Sequence, residues 1–164
     1  VMELYPWVVL GHVVFVILSF GAHGVSAYAM FRIRAEPDRI RAGAVLDLST
    51  TALLGAGIGL GLAVVLGIVA AAMAGYFGQG WPWAAIVVVV IVWLVMTPMA
   101  ANPLSEVRRT LGLPSRADKK GVPPQAGSDA EFAAARARLK PELVTGIGIV
   151  AVVVLVWLME MKPF

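Results

Sequence analysis

Two histidines, His12 and His23, are the only imidazoles in a chain of 164 residues that has no cysteine. Both lie in an apolar stretch near the N-terminus, where ionisable side chains are rare and usually functional if the stretch crosses a bilayer. Eleven residues separate them. At 100° per residue that interval is roughly 20° from three whole turns, with a rise of about 16 Å. One helix face is therefore expected to carry both, at different depths, with Val16, Ser19, Ser26 and Met30 on the same stripe. A neutral imidazole offers a ring nitrogen to iron, so the pair suits haem ligation. The opposite axial ligand would come from Met73, Met96 or Met99, from an imidazole of a second copy or another subunit, or be missing. Two other roles stay open. The imidazoles can hydrogen-bond to Ser19, Ser26 or a facing backbone carbonyl and hold helices together. They can also relay protons, which calls for carboxylates at depth; Glu3 and Glu160 are expected near the outer surface and Asp47 near the inner one.

The elements that would position these side chains follow from charge. No Asp, Glu, Lys, Arg or His occurs in the 58 positions between Asp47 and Glu106. A bilayer accommodates such a run, since about 20 apolar residues cross its hydrocarbon core. The chain is 60% hydrophobic and 14% charged, with mean hydropathy +0.86. This composition indicates one polytopic membrane domain rather than a soluble one. Spans are expected over 7–30, 53–74, 83–101 and 143–161, each rising roughly 28–36 Å as a helix. Backbone groups in lipid must pair within their own element, which selects helices, and the strict alternation of a membrane β-barrel strand is missing. The expected fold is an all-α bundle of four transmembrane helices. The absence of cysteine excludes disulfides, thiolate metal sites, iron–sulfur clusters and covalently attached haem.

Of 13 Lys and Arg residues, 12 fall in two segments, after the first span and between the third and fourth; the other is Lys162. The positive-inside rule then places both basic loops in the cytoplasm and both termini outside. Tyr5, Trp7, Tyr76, Trp81, Trp83 and Trp157 fall at the outer ends, as an interfacial belt requires. The net charge of +3 is read as topology, not as nucleic-acid binding. Ala27-Tyr28-Ala29 resembles a leader cleavage site, but no basic segment precedes it and arginines follow, so the first span is expected to be retained.

The loop 104–140 is expected to be flexible over 114–127 and helical over 129–140, opened by a capping box of Ser128 and Glu131. Thr97-Pro98 is expected to kink the third span and Asn102-Pro103 to end it. In the second span Gly55, Gly57, Gly59 and Gly61 form two overlapping GxxxG pairs. Small residues at this spacing let helix backbones approach, within the bundle or against a partner. A phosphate-binding glycine loop would need a following lysine or a strand–helix context, and neither is present.

The segments LGHVVFVILSFGAHGVSAYAMFRIR, AGAVLDLS and GYFGQGWPWAAIVVVVIVWLVMTPMAANPLSEVRRTLG, covering most of 5–112, resemble an uncharacterised family of four-helix integral membrane proteins. Such chains are common in green filamentous bacteria of the Chloroflexi type. That family is distantly similar to the copper-resistance D-type proteins and to the membrane protoporphyrinogen oxidases. Both share a first-helix histidine, matched by His12, and the oxidases bind haem b. The oxidases also rely on a third-helix lysine, and no span here has one. The resemblance thus implies haem binding rather than the oxidase reaction. A copper route would want several buried Met or His ligands; Met96 and Met99 share a face, as packing methionines often do.

The expectation is a protein of the bacterial cytoplasmic membrane without enzymatic activity of its own. It is expected to be an accessory or electron-transfer subunit holding haem b through His12 and His23, or a structural subunit without a cofactor, in contact with other membrane subunits or a second copy. An oligomeric transporter of a small solute or metal is the weakest alternative, because no broken-helix substrate site is evident.

Overall fold

The computed structural model describes residues 3–114 and 124–164. It contains five α-helices: α1 Tyr5–Ala35, α2 Arg39–Met73, α3 Trp81–Thr110, α4 Asp129–Ala137 and α5 Pro141–Met161, with one 3-10 turn at Tyr76–Gly78. Four helical segments are long and apolar enough to cross a membrane. They are α1, α2, α3 and the segment that contains α5, so the protein is a multi-pass membrane protein with an all-α bundle.

Local chemistry sets the helix ends. Pro6, Pro82 and Pro141 sit in the first turns of α1, α3 and α5, where a missing amide hydrogen costs nothing. Asp38 caps α2 by accepting the Arg41 amide hydrogen at 2.9 Å. Gly75, at φ 70°, supplies the left-handed residue that turns the chain out of α2. Ser128 and Glu131 form the expected capping box of α4.

The helices pair as two antiparallel hairpins, α1 with α2 and α3 with α5. In the first, His12 meets Ala63, Ser19 meets Ala56, and Ser26 meets Ser49. Both helices advance seven residues between rungs, the repeat of a left-handed antiparallel supercoil. The next rung in that register would pair Ile33 with Ala42, and both are fully buried. On α2 the rung residues Ala42, Ser49, Ala56 and Ala63 are all small, which lets the two backbones approach. Of the four spaced glycines, Gly59 belongs to this contact: a Cβ there would fall 3.3 Å from Ser19 Cβ and 3.4 Å from Ser19 Cα. A Cβ at Gly55, Gly57 or Gly61 would meet nothing within 4 Å, so these three face away from the bundle.

The two hairpins join at the end that carries the basic segments. There Met30, Ile33, Leu46, Leu104, Val107, Phe132, Leu139 and Val144 form the main core. Ion pairs cross the same junction. Arg34 of α1 grips Glu142 of α5 with both guanidinium nitrogens. Arg108 of α3 reaches Asp47 and Thr50 of α2, at 3.0 and 3.1 Å. Arg39 of α2 binds Asp129 of α4 at 2.9 Å and donates to the Gly127 carbonyl. Phe132 lies between Arg39 and Arg136, whose guanidinium carbons are 5.3 and 4.8 Å from its ring centre. At the opposite end a smaller core of Trp81, Ala85 and Leu158 belongs to α3 and α5, and the Phe164 carbonyl accepts from the Gly80 and Trp81 amides.

Three expectations about extent change. Helix α3 runs unbroken through Pro98 and Pro103 to Thr110 rather than ending near 101. An interior proline costs about 3 kcal/mol, and burial of Leu104, Val107 and Thr110 in the junction core offsets it. Helix α2 begins at Arg39, well before 53, because its charged first turns pack against the junction while still outside the apolar run. Helix α4 stops at Ala137 rather than 140. Of the stretch 114–127 expected to be flexible, 115–123, with Arg116, Lys119 and Lys120, lie outside the described residues. Its far end is held: Ala126 bridges Leu111, and the Gly127 amide donates to Thr110 O at 2.9 Å.

The packing makes a discriminating prediction. Gly59→Leu must push α1 from α2 and cost about 1–3 kcal/mol, whereas Gly57→Leu changes stability by less than about 0.5 kcal/mol. Thermal unfolding in one detergent checks this; equal shifts for the two variants would refute the contact.

Candidate functional site at the two histidines

His12 sits on the α2-facing stripe of α1. Its Nδ1 is 2.7 Å from the Ala63 carbonyl oxygen. A carbonyl only accepts, so Nδ1 carries a proton and donates to it. The ring lies over Gly67, where a Cβ would fall 2.9 Å from Cε1 and 3.0 Å from Nδ1. Glycine at 67 is thus the space into which the imidazole fits. Nε2 makes no hydrogen bond among the described residues and is not sealed in the interior. A ring anchored through one nitrogen with the other free is the arrangement of most metal-ligating histidines.

Ser19 and Ser26 repeat the anchoring without the free nitrogen. Ser19 Oγ donates to Ala56 O at 2.7 Å and Ser26 Oγ to Ser49 O at 3.0 Å. Each of those carbonyls lies in the body of α2. The side chains supply a second bond across the seam and bury no unpaired hydroxyl of their own.

His23 lies four residues past Ser19, on the neighbouring stripe with Val16 and Met30, and points toward α5. Its Nε2 is buried without a hydrogen-bond partner. A Cβ at Gly148 would be 3.8 Å from that nitrogen and 3.8 Å from the Met96 methyl, so imidazole and thioether converge on one glycine of α5. The two histidines therefore address different neighbours rather than one shared face. The supercoil explains the difference. At 3.5 residues per turn, eleven residues place them about 50° apart, not roughly 20°.

The methionines divide accordingly. Met96 is buried beside His23, and Met99 packs against the same junction core. Met73 ends α2, about 15 Å along the axis from the level of His12. Among the described residues no three His, Cys, Asp or Glu side chains come together as a metal-binding group.

These surroundings test the fit of a haem. His23 Nε2 is closed in by Gly148 and Met96, with no open side for a macrocycle. His12 Nε2 is accessible at the α1–α2 surface, and its ring is already oriented. Of the two histidines, His12 is the one whose surroundings would leave a ring nitrogen available to hold a haem.

Ala63, Gly67 and Gly148 were not singled out from the sequence, because an alanine carbonyl and an isolated glycine carry no chemical label. A usable signal was present in the seven-residue recurrence of small residues on α2 against polar residues on α1.

A cycle of substitutions tests the His12 seat. His12→Ala is expected to cost about 0.6 kcal/mol and no more than about 1.7 kcal/mol. Gly67→Ala lowers the unfolding temperature of the wild type, because its methyl displaces the ring, yet is neutral when His12 is already Ala. An undiminished effect in that background would show that the methyl strains something else.

Comparison of the chain with protein-family models, with curated proteins and with solved structures finds no match.

Proposed function

We propose that this protein is a small accessory subunit of a larger complex in the bacterial cytoplasmic membrane, with no catalysis of its own, and that His12 is its point of contact with a haem b. The observation that supports this is the state of the His12 ring: Nδ1 is fixed on Ala63 O, the ring is seated on Gly67, and Nε2 is free at the surface of the helix pair. Bound there, a haem b would carry single electrons. The chain's own contribution is to hold the imidazole in one orientation through the Nδ1 contact with Ala63 O. Nε2 has no hydrogen-bond partner among the described residues, so the partner of this site belongs to another subunit or a second copy. His23 serves packing in this scheme.

A second possibility is a structural or assembly subunit without a cofactor. The polar ladder favours it, since His12 does for Ala63 what Ser19 and Ser26 do for Ala56 and Ser49, and those serines bind nothing further. Difference spectra of the protein purified from native membranes separate the two. Soret and α bands scaling with protein, lost in His12→Ala and kept in His23→Ala, are expected for the haem-binding subunit. A featureless spectrum at full purity leaves the structural role.

In the proposed orientation the basic junction faces the cytoplasm and both chain ends face outside. A reporter that works only in the cytoplasm, fused after Phe164, is therefore expected to be silent in cells; an active one would reverse the topology.

A further inference from the structure

Helices α3 and α5 do not close on each other along their whole length. Between them runs a groove of about 340 Å³ whose lining is almost wholly apolar and includes Val88, Val92, Gly146, Val150 and Val154. Gly146 opens it, since a Cβ there would meet nothing within 4 Å. A gap of this kind in a membrane protein forfeits dispersion contacts unless an apolar group fills it.

What lies further along the same seam, about 21 Å beyond Val92 on α3, identifies the occupant. Val92, Met99 and Glu106 follow at seven-residue intervals on α3, the side along which α3 meets α5. Glu106 accepts from Arg109 at 3.3 Å and faces Arg138 at 3.7 Å, both through the same oxygen. The two guanidinium groups thus lie within about 7 Å of each other and share one carboxylate. Both are more than half exposed. Lys140 follows two residues on, exposed and without an acid partner among the described residues. Glu131, the other carboxylate near Arg109, is bound to the Ser128 amide and hydroxyl. Three cations against two carboxylates leave the cluster positive, at the level where the charge-free run ends.

Depth matches as well. From the start of α5 at Pro141, Gly146 lies about 7.5 Å and Val154 about 20 Å along the helix. One leaflet of hydrocarbon is about 15 Å thick. Measured from Pro141, the groove therefore starts about half-way through the nearer leaflet and ends about 5 Å past the midplane, the depth that an acyl chain reaches when its phosphate lies in the headgroup layer. We infer that the α3–α5 seam binds an anionic phospholipid, its phosphate between Arg109 and Arg138 and one acyl chain in the groove. Basic pockets between transmembrane helices bind anionic headgroups on the cytoplasmic side by the same charge pairing. This inference rests on the bilayer placement proposed above and is independent of any haem.

The full chain, extracted into mild detergent and offered phosphatidylglycerol or phosphatidylcholine of identical acyl composition, provides the test by native mass spectrometry. Phosphatidylglycerol is expected to be retained about tenfold more strongly. Arg109→Gln with Arg138→Gln removes that preference. Gly146→Leu, which fills the groove from an open position, weakens retention of both lipids at unchanged helicity by circular dichroism. Equal retention of the two lipids by the wild type, or wild-type retention in both variants, would overturn the site. So would a dimer that Gly146→Leu dissociates without any lipid preference, which would assign the groove to a second copy. If the chain is recovered outside the membrane fraction, the bilayer placement itself fails; if it is in the membrane without lipid preference, only the lipid site fails.

Discussion

The close approach of α1 and α2 organises the bundle. In lipid, apolar side chains gain little by leaving hydrocarbon for a neighbouring helix, so association rests on dispersion contacts at short range and on polar groups that find partners. The seam supplies both. Small residues at every seventh position of α2 bring the backbones together, and at that distance His12, Ser19 and Ser26 each reach a carbonyl of the facing helix. The hydroxyls and imidazole specify register as well as affinity. A slip of one residue would leave all three side chains without their carbonyls, at a cost that an all-leucine seam would not impose.

The second hairpin is attached differently. Its joint with the first is concentrated at the basic end, where a core of large side chains is ringed by Arg34–Glu142, Arg108–Asp47 and Arg39–Asp129. Exposed ion pairs are individually weak. Here they join different helices around a buried core, and the Arg39 guanidinium also donates to the Gly127 carbonyl and stacks on Phe132. Helix α4 belongs to this joint. Its capping box starts it and Phe132 anchors it in the junction core. The basic residues that flank the apolar spans thus also weld the bundle at one of its ends.

That arrangement separates the two histidines in role. His12 lies toward the turn end of the bundle, in the seam between α1 and α2. His23 lies toward the basic end, where the hairpins converge, and is packed against Gly148 and Met96. Two imidazoles on one helix, eleven residues apart, acquire different chemistry because one faces a two-helix seam and the other the junction of the two hairpins.

Much of the fold was legible in the residues alone. The 58-residue stretch without charge, the flanking arginines and the prolines in first turns determined four helices, because burying a charge in hydrocarbon or leaving a backbone amide unpaired costs more than any packing detail returns. The capping box of α4 was legible for the same local reason. Which helix each side chain would face was not. An interval of eleven residues reads as one face on a straight helix and as two on a supercoiled one, and the supercoil exists only once α2 lies against α1. Likewise four regularly spaced glycines look equivalent in sequence, while the pairing leaves Gly59 against Ser19 and turns Gly55, Gly57 and Gly61 outward. Membrane residence and helical segments could be read from the residues, since these depend on transfer of groups between water and lipid. The partners of His12 and His23 and the groove beside Gly146 emerged with the packing, since these depend on which surfaces touch.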